Sequence, residues 1–332
     1  MTRRFLIAGF IALASLAHGQ VITAVKPTWT PPRMADGHPD LGGYWANNNA
    51  TPLERPASLA GRERLTDAEL AAMKQKYQEL FNGNGDAAFG DDVFNTVLTN
   101  VLGTKNGFKS ADGETGDYSS AWTVQRVWDH RTSLITNPAD GRLPAMSAEG
   151  LARRQATQVA RNRGAYGPED RSLAERCITY GSPPIIAGYQ SYYQIVQSSN
   201  SLALITEMIH DTRVIPFNGG RHIPSNVRLW RGDSRGHWDG DTLVVDTTNY
   251  REGAFFRGAS SDKLHVTERF TLSGPNTLQY EITIDDPGTW SKPWSAMIPW
   301  QRAENQVFEY ACHEGNLGLA GILAGARAEE PK

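Results

Sequence analysis

The sequence has few cysteines, no strong net charge and no long apolar run beyond its first residues. Its 332 residues include two cysteines, 33 basic and 36 acidic side chains, and the formal net charge is −3. A charge so close to zero gives no electrostatic basis for binding nucleic acid. No apolar stretch after the N-terminus approaches the ~18 residues that cross a bilayer as a helix. We therefore expect neither a nucleic-acid partner nor a membrane partner for the chain beyond residue 19.

Sequence signatures of metal, phosphate and serine-nucleophile chemistry are also missing. There is no HExxH or HxH pattern and no glycine-rich phosphate loop. The GxSxG string at 232–236 runs into the Asp239-Gly240 hairpin turn rather than into a helix, so it does not form a nucleophile elbow. We expect no cofactor, and a transition metal held by distant histidines is the alternative.

The first 19 residues have the pattern of an export signal. Arg3 and Arg4 precede an apolar run from Phe5 to Ala17, and small residues lie where signal peptidase cleaves. The two arginines also fit the twin-arginine pattern, which leaves that route as an alternative to general secretion. The sequence predicts a periplasmic or secreted protein that begins near residue 20.

The two cysteines, Cys177 and Cys312, form an even pair in a chain with an export signal. Such a pair predicts a disulfide, which here would tie the middle of the chain to its end. The alternative is two free thiols of which one is catalytic, since His313 and Glu314 follow Cys312 directly.

The sequence changes character near residue 188. Residues 20–187 are predicted to form an extended arm, to about residue 65, and then a helical wrap, whereas residues 188–332 contain short β-rich runs and a last helix. The predicted helices are 66–80, which begins with the capping box Thr66-Asp67-Ala68-Glu69, 91–102, 147–163 and 317–328. The predicted strands are 192–197, 202–209, 214–217, 242–248, 264–272, 278–284 and 307–312. This order favours a mainly β (α+β) protein, an antiparallel meander closing into a lipocalin-like barrel or sandwich, in one compact unit with residues 20–187.

Two alternating segments place a carboxylate inside the predicted barrel. Even positions of 264–272 are apolar except Glu268, and Tyr280 lies on the apolar side of 278–284. A carboxylate that loses water in a lumen can hold or take a proton near neutral pH. The alternative is a structural Glu268 that is satisfied by an arginine or by a tyrosine hydroxyl.

A second polar group follows the predicted strand 202–209. On a regular strand Glu207, Asp211 and Arg213 share one face and His210 lies on the other. The functional interpretation is a cluster at the barrel mouth in which His210 acts as acid or base. The alternative is a strand end that carries an aspartate–arginine ion pair.

Six strings in the chain are long enough to be specific. They are GPEDRSLAERC at 167–177, YQIVQ at 193–197, EMIHDTR at 207–213, GDSRGHWDGDTLVVDTTN at 232–249, LHVTERF at 264–270 and YACHEGN at 310–316. Together they resemble a large group of exported bacterial proteins common in acidobacteria and sphingomonads, and the likeness covers about residues 132–327. The resemblance implies export, and it brings no established activity and no catalytic residues. Such bacteria often degrade plant-derived aromatics, which favours a substrate of that class.

We therefore expect a periplasmic, cofactor-independent lyase or isomerase that acts on an apolar or aromatic small molecule in a barrel lumen. The expected catalytic residues are Glu268, His210, Glu207, Asp211 and His313. The expected substrate-binding residues are Arg213, Tyr280, His265, His222 and Glu314. One alternative is a metal-dependent hydrolase or oxidoreductase that uses His210, His222 and His313, and another is a carrier that holds a ligand without transforming it.

Overall fold

The computed structural model describes residues 29–82, 87–109, 125–162, 165–180, 185, 191–217, 219–255, 259–304 and 306–330. The chain divides into two units, Met1–Thr30 and Pro31–Lys332, and every element described below belongs to the second. The predicted export signal at residues 1–19 lies outside the described residues.

The described residues contain ten β-strands and four α-helices. The strands are Gly43–Ala46 (β1), Ile135–Asn137 (β2), Tyr192–Gln197 (β3), Ser201–Thr206 (β4), Thr212–Pro216 (β5), Asp233–Asp239 (β6), Thr242–Thr248 (β7), His265–Gly274 (β8), Thr277–Asp285 (β9) and Trp294–Arg302 (β10). The helices are Asp67–Leu80 (α1), Asp91–Val101 (α2), Ala148–Asn162 (α3) and Leu317–Ala328 (α4).

Nine of these strands form a nearly closed antiparallel barrel. Their order is β5-β4-β3-β1-β10-β9-β8-β7-β6, and β2 pairs with β10 outside this order. Strands β6 to β10 form one meander and β3 to β5 another, and β1 joins them by pairing with β3 and β10. The two end strands, β5 and β6, lie beside each other. The predicted antiparallel barrel with a C-terminal helix is confirmed.

Aromatic rings from alternate strand positions fill the barrel interior. Trp300 on β10 stacks on Tyr193 of β3, with ring centroids 4.5 Å apart, and lies 4.9 Å from Tyr280 of β9. Phe270 on β8 lies 5.0 Å from Tyr280. Burying one large apolar side chain stabilises the folded state by about 1.5–3 kcal/mol. The strand positions that carry these rings therefore face inward, and the residues between them face outward.

A capping box at the start of α1 confirms the predicted helix there. The Thr66 hydroxyl accepts from the Glu69 backbone N–H at 3.2 Å, and the Glu69 carboxylate accepts from the Thr66 backbone N–H at 2.8 Å. Helix α1 packs on α2 in an apolar core that includes Met73, Phe94 and Trp128, which we call the helical cluster.

Three of the predicted segments differ from the structure, and strands β2, β6 and β10 are absent from the prediction. Gly43–Ala46, expected within an extended arm, is a barrel strand with a partner on each side. The predicted strand 307–312 is irregular. The predicted strand 202–209 ends at Thr206, because the chain then makes a 3₁₀ turn over Met208–His210.

Strand β10 is absent from the sequence prediction because Pro299 interrupts it. Proline has no N–H and is normally excluded from central strands. The Met297 N–H donates to the Leu134 carbonyl, so position 299, two residues further on, faces the same side of the strand. On that side β2 pairing ends at Ala296 and β1 pairing starts at Gln301. Proline is tolerated because no ladder bond is needed in this gap.

Candidate functional site

A buried ion pair lies inside the barrel between β5 and β8. Arg213 Nη1 and Nη2 donate to the two carboxylate oxygens of Glu268 at 2.6 and 2.8 Å. The Tyr280 hydroxyl donates to Glu268 Oε1 at 2.8 Å. Glu268 and Tyr280 have no solvent exposure, and Arg213 is 6% exposed. The alternation in β8 and β9 therefore places Glu268 and Tyr280 inside the barrel, as predicted.

The charges of this cluster are fixed by its surroundings. Burial raises the pKa of the Tyr280 hydroxyl, and the neighbouring charge of Glu268 raises it further. Burial acts against the charge of Arg213, but the charge and hydrogen bonds of Glu268 outweigh it and raise the pKa of the guanidinium. Arg213 thus stays charged and Tyr280 stays protonated, so both oxygens of Glu268 keep a donor.

Glu268 has the environment of a structural group. Its oxygens are occupied and its side chain is sealed from solvent, so a substrate atom cannot reach it without displacing Arg213. Arg213 and Tyr280, expected to bind substrate, are engaged by the same contacts. This arrangement corresponds to the alternative in which an arginine and a tyrosine satisfy Glu268.

The carboxylates expected at the barrel mouth hold irregular segments in place. Buried Glu207 accepts from the Phe308 backbone N–H at 3.0 Å. Asp211 accepts from the Thr179 hydroxyl at 2.7 Å and forms an ion pair with Arg231. Glu207 and Asp211 thus connect the C-terminal segment and the loop at residue 179 to the barrel.

His210 lies on the surface, apart from the buried ion pair. Its Nδ1 is hydrogen-bonded to the Tyr310 carbonyl at 2.8 Å. Ile209 and His210 have φ values of 62° and 38°, so the chain turns here and the expected strand faces do not exist. Because His210 is exposed and Glu268 is sealed, the two do not form an acid–base pair.

The predicted disulfide is confirmed. Cys177 and Cys312 are bonded, with their Cα atoms 5.7 Å apart. His313 and Glu314, next along the chain, are exposed on the irregular segment that precedes α4.

The histidines of the metal alternative lie in different surroundings. His210 contacts a backbone carbonyl, His313 is exposed, and His222 lies beside two aspartates. Within the ranges that the structure describes, no three His, Cys, Asp or Glu side chains are arranged to hold a metal ion.

The outer face of β6, β7 and β8 carries a continuous chain of carboxylates and imidazoles. His222 Nδ1 is hydrogen-bonded to Asp233 Oδ2 at 2.9 Å, and His222 Nε2 to Asp246 Oδ1 at 2.8 Å. His265 Nε2 is hydrogen-bonded to Asp246 Oδ2 at 2.5 Å. Arg235 donates to the second oxygen of Asp233 at 2.7 Å. We call Asp233, His222, Asp246 and His265 the relay.

Strand register brings the relay together. Asp233 on β6 and His265 on β8 are diagonal neighbours of Asp246 on the central strand β7. Diagonal side chains on one face of a sheet are within reach of each other when they are long. His222 comes from the loop between β5 and β6 and lies between the two aspartates.

The relay runs from a buried end to an open end. The side chain of Asp233 is 10% exposed, whereas that of His265 is 42% exposed. His222 can donate to both aspartates at once only as an imidazolium. The hydrogen bond between His265 and Asp246 lowers the pKa of Asp246 and raises the pKa of His265. The open end is therefore a histidine whose Nε2–H donates to Asp246, and no described residue hydrogen-bonds its Nδ1.

Sequence reasoning selected His222 and His265 but missed the aspartates that join them. The alternation that points Glu268 inward points His265 outward, and the same alternation along β7 points Asp246 outward. That signal was available in the sequence. The position of His222 depends on a loop, for which there is no periodic signal.

Comparison with known proteins adds no functional assignment. A scan against protein-family models and a search of curated proteins both found no match to this chain. Among the described helices, none has the length and apolar character that would let it cross a membrane. The functional inference therefore rests on the relay.

Proposed function

We propose that this protein is a cofactor-independent lyase or isomerase whose relay moves a proton on a small molecule. The observation that carries this proposal is the hydrogen-bonded chain from Asp233 through His222 and Asp246 to half-exposed His265. Imidazole exchanges protons near neutral pH, and a carboxylate on one ring nitrogen fixes the tautomer and stabilises the imidazolium. His265 is the group that exchanges the proton, and Asp246 is the residue that positions it.

The proposed reaction has two proton transfers. Neutral His265 accepts a proton at Nδ1 from a C–H bond beside a carbonyl, and the electron pair of that bond remains on the substrate as an enolate. Asp246 stabilises the imidazolium, while His222 and Asp233 hold Asp246 in place. In an isomerase the proton then returns to another carbon of the substrate. In a lyase the enolate electron pair forms a C=C bond as the bond from the β-carbon to the departing group breaks, and the proton goes to that group. Neither proton transfer changes the overall oxidation state of the substrate, so neither requires an oxidant.

The proposed site lies on the outer face of the barrel rather than in its lumen. Glu268, Arg213 and Tyr280 bind one another inside, whereas His265 is open to solvent. The disulfide is compatible with export, and a periplasmic or secreted location is part of the proposal. An aromatic substrate also remains part of it, to be tested by the screen below.

Deuterium transfer to substrate carbon is the readout that tests this proposal. Carbonyl compounds, aromatic ones among them, are incubated with the protein in D₂O, and deuterium at carbon is measured by NMR. We expect the wild type to deuterate a compound of this class. His265→Gln should slow the exchange by about 10²–10⁴-fold, the usual contribution of a general base.

His237→Gln is the matched control for this screen. His237 is an exposed histidine on β6, outside the relay, so its replacement should leave the exchange rate unchanged. Equal rates in the wild type and His265→Gln would overturn the assignment of His265.

A further inference from the structure

A buried arginine with no counter-ion among the residues that the structure describes lies beside the helical cluster. Arg126 is 5% exposed, and its Nη1 and Nη2 are buried without a hydrogen-bond partner among the described residues. Burial lowers the pKa of this guanidinium, as expected for a charge removed from water without compensation.

The lack of a hydrogen-bond partner for its terminal nitrogens distinguishes Arg126 from the other buried arginines that the structure describes. Two further arginines of the described ranges are buried to the same degree, Arg55 and Arg213. Arg213 is paired with Glu268, and Arg55 donates to the Thr132 hydroxyl and to a backbone carbonyl. An isolated buried guanidinium is strongly unfavourable. Arg126 therefore points to an anionic group that joins it on binding.

Aromatic side chains adjoin Arg126. Its backbone N–H donates to the Tyr77 hydroxyl at 3.4 Å. The Tyr77 ring centroid lies 5.5 Å from that of Trp128 and 5.4 Å from that of Phe81. Phe108 continues this series, 5.6 Å from Phe81. Tyr77, Phe81 and Phe108 are only partly buried, so part of this aromatic surface is open to solvent.

We infer that Arg126 anchors the carboxylate of an aromatic carboxylic acid whose ring packs against Tyr77, Phe81 and Phe108. The two terminal nitrogens of a guanidinium match the two oxygens of a carboxylate. The Trp128 indole N–H, two residues further along the chain, is also buried without a partner in the described parts of the chain. The rings supply the offset and edge contacts that aromatic ligands favour. The inference does not depend on the relay.

The test is ligand-induced thermal stabilisation of the full protein, with benzoate as the probe. Benzoate at ~10 mM should raise the melting temperature, as expected for a ligand that binds only the folded state. Benzamide, which lacks the charge, and acetate, which lacks the ring, should give a much smaller rise. Arg126→Met should weaken benzoate binding by at least about tenfold because the charged, bidentate contact is gone.

Two control variants keep this test decisive. Arg154→Met removes an exposed arginine of α3 and should keep the wild-type response to benzoate. Arg126→Lys keeps the charge but not the paired donors, so its response should be intermediate, and it serves if the Met variant does not fold. Without ligand, Arg126→Met should be at least as stable as the wild type because an unpaired buried charge is removed.

Three outcomes would overturn the inference. Benzoate could fail to stabilise the wild type, or it could stabilise Arg126→Met equally. Arg126→Met could instead be strongly destabilised without ligand, which would show that an acidic group of the chain already pairs with Arg126. If phosphate stabilised the wild type as much as benzoate does, the site would recognise oxyanions and the aromatic part of the inference would be wrong.

Discussion

Replacing Glu268 by alanine is expected to lower the free energy of unfolding by about 3–5 kcal/mol, the usual cost of breaking a buried ion pair on one side. The change leaves the Arg213 guanidinium charged and unpaired in a site closed to solvent, and it removes the acceptor of the Tyr280 hydroxyl. Glu268→Gln should also destabilise, because an amide offers Arg213 only one acceptor oxygen. Urea unfolding followed by tryptophan fluorescence measures the loss as a lower midpoint.

Removing both charges together separates charge burial from packing. The double variant Glu268→Leu/Arg213→Met should recover most of the stability lost in the single variant, because no unpaired charge remains. Glu281→Ala, at an exposed position of neighbouring β9, should change stability by less than about 0.5 kcal/mol. Wild-type stability in both Glu268 variants would show that the ion pair is not structural and would restore Glu268 as a catalytic candidate.

Loss of the disulfide is the second large effect. Cys177 and Cys312 are separated by 135 residues, and a closed loop of this length corresponds to ~5 kcal/mol in the chain-entropy model. The double variant Cys177→Ser/Cys312→Ser should therefore be less stable by about this amount. Urea unfolding of the oxidised protein, the reduced protein and the double variant measures it.

The reduced wild type is the control for the serine double variant. The reduced wild type and the serine double variant should unfold at the same urea concentration, since both lack only the covalent link. His265-dependent proton exchange should persist in the folded variant, because neither cysteine contacts the relay. Equal stability of the oxidised protein and the double variant would contradict the expected contribution of the bond.

Regular periodicity made much of the fold predictable. Strands β3 and β7 and helix α4 have the predicted limits, because alternation or a continuous apolar run marks them from end to end. The interruptions were not predictable. Pro299 obscures β10, and the turn at Met208–His210 ends β4 where an apolar run continues.

The candidate site was predictable only in part. Alternation of apolar and polar residues shows which face of the sheet a side chain lies on, but it does not show which residue that side chain contacts. It placed Glu268 inside correctly. Its partner Arg213 comes from β5, which reaches β8 only across the interior of the nearly closed barrel and not through sheet pairing. The same limit applies to the relay, since His222 reaches Asp246 from a loop whose path follows no pattern.

The most direct test of the relay is an NMR titration of the His265 imidazole in the wild type and in Asp246→Asn. The hydrogen bond to Asp246 raises the pKa of His265 above its usual value of 6.5, and asparagine removes the charge that holds the proton. We predict that His265 titrates at lower pH in the variant than in the wild type. Because only neutral His265 can act as base, proton exchange should rise with pH in a higher range in the wild type than in the variant. An unchanged His265 titration would contradict the relay, and with it the proposed acid–base function.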